Sequence, residues 1–194
     1  MFLEIDQHNE PEKLKQQLQT EIDSTVDADL ILLLYGICGN ATKGIQSNKI
    51  PVVIPRVHDC ATILLGGKTK YKNVFGHRPS QGWKCLSYDK EDIHNVSLES
   101  NPIYIEYKEK YGEDNALYLF EMLFPKTDNE LYISLGLQED EARMKSLTDS
   151  FEIIEGSLDY LKRLLQLVFE DTIILQENEQ MVPLYDETEV MSKK

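Results

Sequence analysis

Apolar residues follow two different patterns along the chain, a four-residue repeat and short continuous runs. Near the N-terminus they repeat every four residues, which predicts one apolar helix stripe formed by Leu14, Leu18, Ile22 and Val26. Pro11 suits the first turn of this helix, because an N–H group there would have no helical partner. Two continuous apolar runs follow and predict strands buried on both faces, at Leu30 to Tyr35 and Ile50 to Ile54.

The C-terminal third repeats this alternation of strand and helix. Strands are predicted at Leu131 to Leu135, Phe151 to Glu155 and Thr172 to Leu175, with a helix between each pair. A longer helix, interrupted near Gly112, is predicted over Ile103 to Phe124. Strands that alternate with helices favour a parallel sheet with helices on its faces. The predicted fold class is therefore α/β, with a mostly parallel sheet flanked by helices in a Rossmann-like three-layer arrangement.

The length of 194 residues suits a single α/β domain, which we place at residues 1–185. Residues 186–194 are mostly polar and predict a flexible C-terminal tail. No run approaches the roughly 20 apolar residues of a membrane helix, and the N-terminus lacks the basic and apolar regions of a signal peptide. Three widely spaced cysteines do not form a disulfide framework. These features predict a cytoplasmic protein with reduced thiols.

The charge of the chain narrows the classes of partner. The sequence has 20 lysines and arginines against 34 aspartates and glutamates, a net charge of −14. A strongly acidic surface is repelled by nucleic-acid backbones and by anionic membranes, so neither is expected as the main partner. A small molecule or another protein is the expected partner, and the oligomeric state is left open.

The residues best suited to chemistry lie in the two loops that follow the two buried strands. Cys38 follows the first strand, and His58 and Cys60 follow the second. Loops at the carboxyl ends of parallel strands converge, so we expect Cys38 near His58 and Cys60 if the two strands are neighbours. Asp59 is predicted to cap a helix that begins at Cys60 and runs to about Tyr71, and a helix start favours the thiolate form of cysteine.

This Cys/His cluster predicts a metal site. Thiolate and imidazole ligands suit zinc or an iron centre, so Cys38, His58 and Cys60 are three candidate ligands. His8 is a candidate for the fourth position, and water or substrate is the alternative. Arg56, in the second loop, is predicted to orient an anionic substrate, although an ion pair with one of the many acidic residues explains it equally well.

Two other interpretations stay open. In the first, no metal is present, one of Cys38 and Cys60 is a nucleophile, and His58 is its base. In the second, the cysteines are ordinary buried residues of a non-catalytic acidic accessory protein that binds a basic partner. Whether the protein is an enzyme is therefore left open at this stage.

Several runs of sequence resemble DUF1638, a family of unknown function. The matching runs, in chain order, are YGICGN (Tyr35 to Asn40), IPRVHDC (Ile54 to Cys60), LLGGKTKY (Leu64 to Tyr71), QGW (Gln81 to Trp83), YKEKYGEDNALYLFEM (Tyr107 to Met122) and FEIIEGSLDYLKRLL (Phe151 to Leu165). The resemblance spans most of the chain, and its most specific parts are the YGxCG and HDC turns. Typical members carry a further cysteine on a strand preceding the segment that matches Gln7 to Leu14, and this chain has none there.

The resemblance implies a biochemical setting rather than a mechanism. Members are often found in anaerobic bacteria and methanogens and are associated with corrinoid-dependent methyl transfer. Combined with the Cys/His cluster, this implies a zinc- or iron-binding protein of one-carbon metabolism, in which Cys38, His58, Cys60 and His8 hold the metal. Its partner would be a small molecule or a protein of methyl-transfer metabolism.

Overall fold

The computed structural model describes residues 11–76, 82–86, 98–100, 102–123, 130–145, 151–184, 186 and 189–194. Its helices are α1 (Pro11–Ser24), α2 (Cys60–Leu64), α3 (Lys68–Phe75), α4 (Pro102–Tyr111), α5 (Glu113–Leu123), α6 (Gln138–Met144) and α7 (Asp159–Leu165), with a 3₁₀ turn at Leu98–Ser100. Its strands are β1 (Ile31–Leu32), β2 (Val52–Pro55), β3 (Trp83–Lys84), β4 (Glu130–Ser134), β5 (Phe151–Glu155), β6 (Thr172–Leu175), β7 (Met181–Pro183) and β8 (Met191–Lys193). This mixture confirms the α/β class.

The chain divides into two compact units. The first combines Met1–Tyr71 with Ser157–Lys194, and the second is Lys72–Gly156. Each unit contains its own small sheet, β1-β2-β6 in the first and β3-β4-β5 in the second. The prediction of one domain over residues 1–185 stays a prediction. The Rossmann-like three-layer arrangement also stays a prediction, since the described strands form small separate sheets.

The first unit is built on the parallel pairing of β1 with β2, in which Ile31 lies opposite Val52. Helix α1 forms as the four-residue spacing predicts, and it buries Leu14, Leu18 and Ile22 against this sheet. The stripe ends there, because Val26 lies beyond the helix and is 86% exposed. Burial of such aliphatic side chains is the main favourable term in folding, at about 25 cal/mol per Å² of apolar surface.

Strand β6 is an antiparallel member of the first unit's sheet, which is predicted to be mostly parallel. It forms at Thr172–Leu175 as predicted, but it pairs with β2 in the antiparallel direction, with Thr172 opposite Pro55. The turn after α7 places Leu167 (φ 62) and Asp171 (φ 58) in the left-handed region. The chain enters β6 beside the carboxyl end of β2 and runs back along it.

The helix predicted from Cys60 to about Tyr71 is divided into α2 and α3. Gly66 (φ 89) and Gly67 (φ 135) lie between them with backbone angles that side-chain-bearing residues rarely adopt. The predicted interruption of the longer helix at Gly112 is confirmed, since α4 ends at Tyr111 and α5 begins at Glu113.

The second unit contains the all-parallel sheet that the alternating pattern predicts. Strand β4 pairs with β3 on one side and with β5 on the other, with Ile133 opposite Ile154. The side chains of Leu131, Tyr132 and Ile133 are fully buried. In this sheet both strand pairings are parallel, as the alternation of strands and helices predicts.

The C-terminal segment differs from the flexible tail predicted for residues 186–194. Strand β8 pairs with β7 in the antiparallel direction, and Met191 lies opposite Pro183. Val190 and Met191 are fully buried in the core of the first unit. This apolar pair inside a polar segment is the physical reason that the segment packs. In the part of the chain that the structure describes, no helix is long and apolar enough to cross a membrane.

Candidate functional site

Beyond the ends of β1 and β2, the two segments of the chain continue side by side into the turns that carry Cys38 and Cys60. The Ile37 N–H donates to the carbonyl of Val57 at 3.1 Å, and the Cys38 N–H donates to the carbonyl of His58 at 3.0 Å. The parallel pairing of the strands is thus extended by backbone hydrogen bonds up to the cysteine itself. This places Cys38 beside the turn that contains His58, as sequence analysis expects for neighbouring strands.

Gly36 allows the two turns to approach this closely. A Cβ atom at this position would lie 2.8 Å from the backbone nitrogen of Asp59 and 2.8 Å from the carbonyl oxygen of Val57. Both neighbours are backbone atoms, which cannot move aside as a flexible side chain can. The buried Thr42 hydroxyl donates to the Gly36 carbonyl at 2.9 Å and fixes the turn from its other side.

The Cys38 turn has an unusual backbone. Cys38 (φ 44), Gly39 (φ 64) and Asn40 (φ 74) adopt left-handed conformations in succession. A left-handed residue other than glycine costs of order 1–3 kcal/mol and persists only where the surrounding structure compensates. In this conformation the Cys38 Sγ atom lies 3.5 Å from the Sγ atom of Cys60. The two thiols, 22 positions apart in sequence, are therefore hydrogen-bonding partners.

Cys60 is held by the start of α2, which Asp59 caps as the sequence predicts. The Asp59 Oδ1 atom accepts from the Thr62 N–H at 3.1 Å and from the Thr62 hydroxyl at 3.2 Å. Its other oxygen, Oδ2, accepts from the Tyr71 hydroxyl at 3.1 Å. Asp59 is thus fixed from two helices, and it fixes the neighbouring Cys60 in turn. Cys60 is half-buried, whereas Cys38 is buried.

The hydrogen bond between the sulfurs separates the acidities of the two thiols. It lowers the pKa of Cys60, because the Cys38 thiol donates to the Cys60 thiolate. The same hydrogen bond, followed by burial, raises the pKa of Cys38 well above its ordinary value. These opposite directions favour Cys38 as the thiol of the pair and Cys60 as its thiolate.

Several neighbours modify this balance. Burial and the charge of Asp59 act against the Cys60 thiolate, whereas the backbone amide of Gly36 favours it. The pKa of Tyr35 is raised by burial and then by negative charge on the two cysteines, which places its ring near the sulfurs. The pKa of Tyr71 is raised by burial and by Asp59. Both phenols therefore keep their protons at neutral pH, and the proton of Tyr71 is donated to Asp59.

Among the described residues, Arg56 makes its contacts with Thr172 and Glu189 rather than with the two sulfurs. The Arg56 Nε donates to the Thr172 carbonyl at 3.2 Å, and its Nη1 forms an ion pair with Glu189, which is the alternative that the sequence left open. His58 contributes its backbone carbonyl to Cys38, and its side chain is half-buried. His8 lies outside the described residues. Its role and those of Arg56 and His58 in binding or catalysis stay predictions.

The side chains available as ligands determine whether the predicted metal centre could form here. Within the described ranges, no group of three or more histidine, cysteine, aspartate or glutamate side chains is arranged to hold a metal ion. Cys38 and Cys60 supply two adjacent sulfur donors.

Sequence analysis missed three contributors to this site, namely Gly36, Tyr35 and Tyr71. The glycine that precedes Cys38 in the YGxCG motif is the sign of a close backbone approach at Gly36. Tyr35 ends the first apolar run and Tyr71 ends the LLGGKTKY motif, so spacing alone does not distinguish them from their neighbours in the predicted strand and helix. The available indication was that Tyr35 begins one motif shared with the family and Tyr71 ends another.

The comparison with known families agrees with the resemblance that the motifs indicate. The family model described as "Protein of unknown function (DUF1638)" matches residues 2–165. The chain therefore belongs to the DUF1638 family, and the match includes both cysteine-bearing turns. No curated protein and no solved structure matches the chain.

The close approach at Gly36 generates a test. We expect Gly36→Ala to lower the free energy of unfolding by about 1–3 kcal/mol, because the added methyl group meets backbone atoms of the second turn and overpacking costs that much. Chemical denaturation measures the change. Gly82→Ala is the matched control, since a Cβ atom there meets nothing within 4 Å. Equal stability of the two variants would contradict the interpretation of Gly36.

Proposed function

We propose that this protein is a cysteine-dependent enzyme in which Cys60 is the nucleophile and Cys38 is its proton-donating partner. The observation that carries the proposal is the 3.5 Å separation of the two Sγ atoms, in a position where one thiol is buried and the other is half-buried. A nucleophilic cysteine needs a neighbour that favours its thiolate, and here a second thiol supplies the hydrogen bond.

The two cysteines are not equivalent candidates for the attacking group. Cys38 is 3% exposed and its pKa is raised, so it keeps its proton and is poorly accessible. Cys60 is half-buried and its pKa is lowered, so it combines access with thiolate character. Since the thiolate is the reactive form of cysteine, Cys60 is the attacking group.

The chemistry that follows is a group transfer. The Cys60 thiolate attacks an electrophilic carbon, and the new S–C bond forms as the bond to the leaving group breaks. The leaving group receives the proton of Cys38. An acceptor nucleophile then attacks the transferred carbon, the S–C bond breaks, the acceptor's proton returns to Cys38, and the Cys60 thiolate is regenerated. The charge of Asp59 beside Cys60 disfavours an anionic substrate, so we propose a neutral or cationic electrophile. Methyl and acyl donors belong to this class, and a methyl donor agrees with the one-carbon setting that the family resemblance implies.

Alkylation of the thiols as a function of pH tests this proposal. We expect iodoacetamide to modify Cys60 with a midpoint below the ordinary cysteine pKa, because Cys38 donates a hydrogen bond to its thiolate. Cys38→Ala removes the donor, so the midpoint should rise. Peptide mapping by mass spectrometry identifies the modified residue and gives its rate at each pH.

Two variants serve as controls for this experiment. Cys38→Ser retains a hydroxyl donor and should keep the midpoint lower than Cys38→Ala does. His58→Ala should leave the midpoint unchanged if Cys38, rather than the imidazole, sets the reactivity of Cys60. A Cys60 midpoint at the ordinary value in the wild type would refute the proposal, and a large effect of His58→Ala would assign the role to histidine.

A second candidate function is metal binding by the same two thiols, as the sequence predicts. Two thiolates on one tetrahedral zinc ion lie about 3.8 Å apart, given a Zn–S distance of about 2.3 Å. The 3.5 Å separation of Cys38 and Cys60 is close to that value. His8, His58, water or substrate would complete the coordination. A zinc- or iron-bound thiolate is also a suitable methyl acceptor, so this candidate keeps the corrinoid-linked one-carbon role.

Elemental analysis of untagged protein decides between the two candidates. The metal candidate predicts about one zinc or iron ion per chain, lost in a Cys38→Ser, Cys60→Ser double variant and reduced in His8→Ala. The thiol candidate predicts no bound metal in either protein and no uptake on reconstitution. Metal retained by the double variant would show a site elsewhere and would contradict the metal candidate.

A further inference from the structure

We infer that Cys38 and Cys60 close into a reversible disulfide when a small hydroperoxide oxidises Cys60, and that this oxidation switches the site off. The inference rests on the proposed function, since it requires Cys60 to be the attacking thiol. It adds a substrate class, hydroperoxides, and a means of regulation to the site.

The geometry makes the pair ready for this step. The sulfur atoms are 3.5 Å apart, and a disulfide bond measures about 2.05 Å, so the sulfurs have to approach by about 1.5 Å. The two turns are already joined by the hydrogen bond from the Cys38 N–H to the His58 carbonyl and by the contact of Gly36 with Asp59. Rotation of the two side chains, without separation of the turns, is therefore the main movement required.

The reaction proceeds in two balanced steps. The Cys60 thiolate attacks one oxygen of the hydroperoxide, the O–O bond breaks, and the leaving oxygen takes a proton to give water or an alcohol. Cys60 is then a sulfenic acid. The Cys38 sulfur attacks the Cys60 sulfur, the S–O bond breaks, and the hydroxide leaves as water with the proton of Cys38. The peroxide gains two electrons and the two thiols lose them.

The accessibility of the two sulfurs and the negative charge around them determine which oxidants can react. Cys38 is 3% exposed and Cys60 is half-buried, so a bulky oxidant reaches the sulfurs poorly. Asp59 adjoins Cys60, and the chain carries a net charge of −14, so an anionic oxidant is repelled. A hydroperoxide is small and neutral, whereas oxidised glutathione is large and negatively charged. The site is therefore selective for the former.

Oxidation removes both parts of the proposed machinery at once. The Cys60 thiolate is consumed, and Cys38 no longer has a proton to donate. A small dithiol reductant reverses the change by exchange, regenerating both thiols while it becomes a cyclic disulfide itself. The site is thus active only when its two cysteines are reduced.

The test treats the reduced, chelator-washed full-length protein with hydrogen peroxide and follows its intact mass. We expect the loss of two hydrogen atoms, a Cys38–Cys60 link in the peptide map, loss of iodoacetamide labelling at Cys60, and recovery with dithiothreitol. Cys85→Ser is the matched control, because the buried third cysteine should play no part and the variant should behave like the wild type. A link that includes Cys85 would overturn the inference.

Two further variants assign the roles, and a second oxidant tests the selectivity. Cys38→Ser should accumulate a sulfenic acid on Cys60 that dimedone traps, and Cys60→Ser should leave Cys38 unmodified. For each oxidant, the rate of reaction with the protein is divided by its rate with a cysteine-containing peptide. This ratio should be lower for oxidised glutathione than for hydrogen peroxide. Equal relative rates, or preferential attack by Cys38, would overturn the inference.

The outcome is separable from that of the proposed function. If Cys60 is alkylated with a lowered midpoint but peroxide forms no Cys38–Cys60 link, this inference fails and the proposed function stands. If the alkylation midpoint is ordinary, the proposed function fails, whatever peroxide does.

Discussion

The candidate site depends on the close approach of two backbone turns. Gly36 lies against the backbone of Val57 and Asp59, and the Cys38 N–H bonds to the His58 carbonyl at 3.0 Å. The parallel pairing of β1 with β2 directs both turns to the same place, and the missing side chain at Gly36 lets them touch. The separation of the two sulfurs follows from this backbone contact.

The same contact explains why the two cysteines differ. Cys38 lies inside the core of the first unit, in a strained left-handed turn, whereas Cys60 begins a helix and remains half-buried. The hydrogen bond between the sulfurs, followed by burial, raises the pKa of Cys38, whereas the same hydrogen bond lowers the pKa of Cys60. Asp59 opposes negative charge on Cys60, but its carboxylate is engaged by Thr62 and Tyr71. The dithiol interpretation rests on the contact between the two sulfurs, which lie 3.5 Å apart.

Local sequence patterns predict much of this arrangement. The stripe of α1, the strand positions of β2, β5 and β6, and the Asp59 cap follow from side-chain spacing and capping chemistry. The juxtaposition of Cys38 with the second turn follows from the rule that loops at the carboxyl ends of neighbouring parallel strands converge.

The remaining features depend on backbone and tertiary contacts that spacing does not encode. Strand β6 runs antiparallel to β2, and the turn before it contains two left-handed residues, Leu167 and Asp171, neither of which is glycine. The C-terminal segment packs because Val190 and Met191 fit the core, although their neighbours are polar. Arg56 pairs with Glu189, 133 positions later, and no local rule selects that acid among the 34.

The central claim, that Cys60 is a thiolate stabilised by the Cys38 thiol, is tested most directly by a nuclear magnetic resonance titration. The protein is labelled with ¹³C at the cysteine Cβ atoms, whose chemical shifts report ionisation of each sulfur. The account predicts that the Cys60 resonance titrates below the ordinary cysteine pKa and that Cys38 titrates well above it. Two resonances that titrate together at the ordinary value would contradict the account.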